Sequence, residues 1–183
     1  MRLLAFLLPL PLCFSCLRYE TSIHFTKEEV TITIRPSTVR VDGEYFFRNR
    51  TGQSTLAKLY YPFAVDRYHP YPDSVHVEGL DVAKCGDGVT FILMFEPYET
   101  KEVRTAYVQR CYVNHARYIL TSAREWGEPI PEALFTVIGP RDHELTVSYK
   151  PDSIIQKDRN VVCYIFEENL LPEREFDVWW TVP

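Results

Sequence analysis

The chain holds 183 residues, with 20 Lys and Arg against 25 Asp and Glu, a net charge of −5, and a hydrophobic share of 46% that includes 14% aromatic residues. An acidic balance without any long run of one sign argues against a nucleic-acid partner, and so much apolar and aromatic side chain excludes a disordered chain. A length of this order normally forms one domain with a substantial core.

The chain opens MRLLAFLLPLPLCFSC. Arg2 precedes an apolar run from Leu3 to Leu12, and the small residues Cys13 and Ser15 stand at cleavage-compatible positions before Cys16, which is the pattern of an export signal. The run is too short to cross a bilayer as a helix, and Pro9 and Pro11 would break one. Cys16 then has two readings. Cleavage by signal peptidase II makes it the lipidated first residue of a bacterial lipoprotein; Ser15 suits the position before the cut, and Cys13 stands where Leu is usual. Ordinary cleavage between Ser15 and Cys16 leaves a free secreted domain whose four cysteines are able to form two disulfides. The lipidated form is the expectation carried forward, with residues 1–15 as signal peptide, 16–27 as tether and 28–183 as a single domain.

Beyond the tether the pattern is one of strands and turns. Val30, Ile32 and Ile34 alternate with Thr31 and Thr33, and Val39, Val41, Tyr45 and Phe47 share one face opposite Arg40, Asp42, Glu44 and Arg48. The same period recurs over 103–109, at Leu145, Val147 and Tyr149, and at Phe176, Val178, Trp180 and Val182. VTFILMF at 89–95 is apolar on both faces and is expected as a central strand. Gly86 and Asp87 suit a tight hairpin joining 80–85 to 88–95, and Pro97 with Tyr98 suits a second one leading into the next strand. That meander sets Cys85 level with Cys111 one strand away, so a Cys85–Cys111 bridge is one candidate disulfide. No window shows capped helical periodicity, and 167–173 is expected to form one turn at most. The fold class expected is all-β: an antiparallel β-sandwich of about ten strands, immunoglobulin-like or jelly-roll-like.

The segment FTKEEVTITIRPSTVRVDGEYFFRNR at 25–50, followed by YYPF at 60–63, resembles an uncharacterised family of exported bacterial β-sandwich proteins. Their pattern is a strand V-x-V-x-Y-x-F-x-N leading to a second strand that ends in a Pro-Phe pair, matched here by residues 43–49 and by Pro62 with Phe63. EPYETKEVRTAY at 96–107 and YILTSAREWGEPIPEALFTVIGP at 118–140 are similar to the Pro-Glu-Thr turn, the Trp-Gly loop and the returning strand of such proteins. The resemblance implies a sandwich fold and a lipoprotein setting, and it carries over no activity, ligand or functional residue.

Residue types that do chemistry are scattered. His24, His69, His76, His115 and His143 lie at no repeating spacing, so no metal site is expected, and no serine sits on a Gly-flanked elbow. The paired acids Glu28 with Glu29 and Glu167 with Glu168 read as solvated surface, and Gly86 with Gly88 is too short for a phosphate loop, so no cofactor is expected. Asn49-Arg50-Thr51 fits a glycosylation sequon and reads as an exposed turn.

Two loops offer contact residues. In DRYHPYP at 66–72, Tyr68, His69 and Tyr71 stand among prolines that restrict the backbone, either presenting rings to a sugar or protein or packing over the end of the core. In REWG at 124–127, Trp126 is an anchor or a lid on one sandwich edge, and Arg124 pairs with an anionic group. The resulting expectation is an exported, lipid-anchored cell-envelope protein that binds an envelope protein or glycan, or supports an assembly, without catalysis. The alternative is an envelope hydrolase or sugar-modifying enzyme whose site is assembled from separate loops, as when Asp66, His69 and His115 are neighbours.

Overall fold

The computed structural model describes residues 22–182. The signal peptide and Cys16 lie outside the described residues. Thirteen strands follow in chain order: β1 (Ile23–Ile34), β2 (Thr38–Asn49), β3 (Thr55–Pro62), β4 (Ser74–Val77), β5 (Ala83–Cys85), β6 (Gly88–Phe95) and β7 (Thr100–Arg110), then β8 (His115–Tyr118), β9 (Ile130–Pro140), β10 (Glu144–Val147), β11 (Ser153–Lys157), β12 (Asn160–Leu170) and β13 (Phe176–Thr181). Among the described residues a single 3₁₀ helix, Thr121–Trp126, interrupts them and ends where Gly127 takes a left-handed conformation. Among the described residues, no helix is long and apolar enough to cross a membrane.

One layer is a seven-stranded sheet ordered β11-β12-β9-β1-β2-β7-β4. The other is split into two three-stranded sheets, β10-β13-β8 and β3-β6-β5. The result is the expected sandwich, with thirteen strands instead of about ten and one parallel pair, β1 with β9, among antiparallel neighbours. Its strands follow the period-two pattern. Val30, Ile32 and Ile34 on β1 and Val39, Val41, Tyr45 and Phe47 on β2 are buried, as are Val103, Tyr107 and Gln109 on β7. β1 begins at Ile23, inside the stretch 16–27 expected as tether.

Four local expectations are corrected. β6 is central in its sheet, paired with β3 and β5, yet only one of its faces is buried, because Ile92 and Met94 are 60% and 54% exposed. The Pro97–Tyr98 segment closes no hairpin: β6 and β7 belong to different sheets, and the turn at 96–99 carries the chain from one layer to the other. Residues 167–170 extend β12 against β9 in place of a helical turn. Asn49 is fully buried, its amide donating to the carbonyls of Gln53 (2.7 Å) and Glu96 (3.0 Å).

Cys85, Cys111 and Cys163 are free thiols, so the Cys85–Cys111 bridge is not formed. The reason is topological: Cys85 ends β5 at the edge of a small sheet, whereas Cys111 follows β7 in the large one. Burial pushes the Cys111 and Cys163 thiols up to about 11, which keeps both protonated and unreactive.

Candidate functional site

The two small sheets meet over β1 and β2, and the seam between them is a cleft. One wall comes from Leu59, Tyr61 and Phe91 of the β3-β6-β5 sheet, the other from Tyr118 and the 3₁₀ helix that follows β8. Its floor is the inward face of β1 and β2. The cavity volume is about 60 Å³, against roughly 10–15 Å³ for one buried water. The cleft therefore has room for several waters or for the head of a small ligand.

Glu28 lies at the bottom, 1% exposed. A β-bulge between Phe25 and Lys27 inserts Thr26, whose hydroxyl donates to the Phe46 carbonyl at 3.0 Å. Because of this extra residue, both Phe25 and Glu28 turn inward, opposite Phe47 and Tyr45 respectively. The assignment of Glu28 to solvated surface is thus corrected. It continues the inward row of Val30, Ile32 and Ile34, and only Glu29 faces outward.

Three tyrosines join Glu28. The Tyr118 hydroxyl donates to Glu28 Oε2 at 3.1 Å, Tyr45 and Tyr118 hydroxyls are 3.2 Å apart, and Tyr45 and Tyr61 hydroxyls are 2.8 Å apart. Glu28 Oε1 has no hydrogen-bond partner among the described residues. Burial pushes the Glu28 carboxyl up to about 8, and the bond from Tyr118 offsets only part of this. Burial likewise raises Tyr61 to about 12 and holds Tyr45 and Tyr118 well above the ordinary phenol value, so all three stay neutral. Above them, Phe25 stacks on Phe47 at 5.0 Å, and Trp126 closes over Phe47 at 5.3 Å and Phe25 at 6.1 Å.

Of the five contact residues read from the sequence, Trp126 alone lines this cleft. Arg124 is exposed on the 3₁₀ helix. Tyr68 is exposed beneath the Arg67 guanidinium, 4.4 Å from its ring centre. Tyr71 is half-buried: its hydroxyl donates to the Gly88 carbonyl at 3.1 Å, and Lys84 Nζ sits 3.9 Å from its ring centre. His69 is 2% exposed, which removes it as a surface contact.

Asp66, His69 and His115 are neighbours, as the hydrolase alternative requires. His69 Nδ1 is 2.9 Å from Asp66 Oδ1, Nε2 is 3.0 Å from the His115 carbonyl, and the two imidazole centres are 5.0 Å apart. His115 Nε2 in turn meets Asp177 Oδ1 at 2.7 Å, beside the Arg117 Nε bond of the same length to that oxygen. Burial favours the neutral form of Asp66, but the backbone N–H groups of Tyr68 and His69 and the His69 ring outweigh it and hold the carboxyl below its ordinary value. Both nitrogens of His69 are committed to protein acceptors, and no hydroxyl or thiol among the described residues bonds to either ring. The arrangement ties the 66–72 loop to β8. Among the described residues, no three His, Cys, Asp or Glu side chains converge on a common metal position.

The sandwich fold is shared with solved bacterial structures. A "putative nutrient binding protein" from Legionella pneumophila superposes with a TM-score of 0.67 at 12% identity, over 87% of this chain and 68% of that one. An M1 zinc metallopeptidase from Deinococcus radiodurans superposes with a TM-score of 0.56 at 10% identity, over 86% of this chain and 42% of the peptidase. The chain thus spans about four tenths of the peptidase's length. At these identities the likeness is one of fold. No protein-family model and no curated protein matches the sequence.

Proposed function

We propose that this chain is an exported binding domain of the bacterial cell envelope, held at the membrane by an acyl group on Cys16, and that it holds a small ligand in the aromatic cleft without transforming it. The cleft carries the reading: a buried carboxyl with one oxygen unpartnered belongs to the lining of a space walled by rings and large enough for a ligand head. Few polar groups in a mostly apolar concavity suit recognition by shape and one directed contact. The fold shared with the Legionella protein is consistent with such a role. The His69 cluster favours catalysis less than it favours loop anchoring, because its buried imidazole has no free nitrogen to offer a substrate.

A second element of the reading is support of an assembly. Leu56, 70% exposed, lies opposite Met94 on the outer face of the β3-β6-β5 sheet, beside Ile92, and forms an apolar patch there. The binding reading is tested by ligand-observed NMR with a set of small amphipathic amines, alcohols and acids. Wild type is expected to bind a subset, and Ser122→Trp, which plugs the rim of the cleft, to bind none of them. Equal binding by both proteins would remove the cleft from the proposal.

A further inference from the structure

We infer that the ligand presents an ammonium group to Glu28, so that the cleft is a site for a small organic amine. This inference rests on the binding reading above and specifies its ligand class. Glu28 Oε1 has no partner, although the side chain is 1% exposed. Among the described residues no Lys, Arg or His lines the cleft, so none of them balances a carboxylate there. The groups that face Glu28 are the hydroxyl of Tyr118 on β8 and, behind it, those of Tyr45 on β2 and Tyr61 on β3, all neutral across the physiological range. A cation is therefore the group that would let Glu28 ionise in the cleft.

The walls suit the same chemistry. Phe25, Phe47 and Trp126 cluster in the lining, and ring faces attract ammonium groups most strongly where water is excluded. Leu59, Phe91 and Val103 offer apolar surface to a short hydrocarbon stem. An anionic ligand would meet an acid with no compensating base. An alcohol would satisfy Oε1 but bring no charge, so Glu28 would stay a neutral acid.

Binding then exchanges charges. An alkylammonium enters with its proton, the Glu28 carboxyl releases its own to solvent, and an ion pair replaces a neutral acid. The empty site holds its proton up to about pH 8, whereas an alkylamine stays charged to about pH 10. Affinity should therefore rise with pH, approaching about tenfold per unit below pH 8.

The test titrates the full chain with n-butylamine and with n-butanol at pH 6 and pH 8, following the Trp126 indole signal by NMR. The expected result is butylamine binding at pH 8 that weakens at least tenfold at pH 6, with butanol weaker by a similar factor at pH 8. Glu28→Gln should lose the butylamine preference while keeping a wild-type near-UV spectrum. The pH comparison in wild type needs no variant and stands if Glu28→Gln fails to fold. Equal, pH-independent binding of both probes overturns the amine assignment and leaves the binding reading intact. If neither probe binds and the wider set of fragments fails as well, both fall.

Discussion

A buried acid with one oxygen unpartnered makes stability depend on pH, and Glu28 is that residue here. Its carboxyl is raised in the fold from 4.5 to about 8, so the unfolded chain ionises first as pH rises. The folded state therefore loses stability between those values, by a few kcal/mol in all, and loses no more above the upper one. Urea unfolding of wild type should show this decline, and Glu28→Gln should flatten it; parallel slopes for the two proteins would contradict the placement of Glu28. His69 makes a second residue-scale prediction. Its ring bridges Asp66 and the His115 carbonyl while 2% exposed, so His69→Ala should destabilise by about 2–4 kcal/mol in the same assay. The inward direction of Glu28 was legible in its period-two spacing from Val30, Ile32 and Ile34. Adjacent strand residues face opposite sides, so on a strand one of Glu28 and Glu29 must point inward; reading both as solvated sets the usual cost of burying a carboxylate above that direction. The orphaned oxygen was not legible, because it depends on Tyr118, ninety residues away.

At the scale of elements, β2 carries the network through a glycine. Any side chain at Gly43 would collide with the Tyr45 ring, which lies across it. Gly43→Ala should therefore shift Tyr45, break its bonds to Tyr61 and Tyr118, and destabilise by about 1–3 kcal/mol. Thermal unfolding with near-UV circular dichroism would register both effects, and an unchanged tyrosine spectrum would contradict them. The pair β8 with β13 has its own signature. Burial favours the neutral form of Asp177, but His115 and Arg117 outweigh it and hold the carboxyl below 3.8. A carboxyl lowered in the fold stabilises above its unfolded value, and that stability is lost as pH falls through the folded one. Asp177→Asn should thus be clearly less stable than wild type at neutral pH, with the gap closing as pH falls below the ordinary carboxyl range. Individual strands could be read from the sequence because alternation is local. Their partners could not: the turn after β6 looks like a hairpin, yet it changes layers, and the β1–β9 pair joins segments about a hundred residues apart.

The whole molecule is a continuous seven-stranded layer facing a divided one, and the division creates the cleft. No local motif announces such a site, since its walls come from β1, β2, β3, β6, β7, β8 and the 3₁₀ helix, which are distant in sequence. Anchoring is a separate matter of the N-terminus. Mass analysis of the mature N-terminal peptide from native membranes should find an acylated Cys16 in wild type and none in Cys16→Ser; an unmodified wild-type peptide in the soluble fraction would instead support free secretion. The central claim is that the seam between the small sheets is a ligand site. The measurement that tests it most directly is a map of backbone amide shifts during titration with a small-molecule fragment set of mixed charge. The account predicts saturable shifts confined to Phe25, Glu28, Tyr118, Ser122 and their neighbours around the cleft. Saturable shifts centred elsewhere, or none from any fragment, would contradict it.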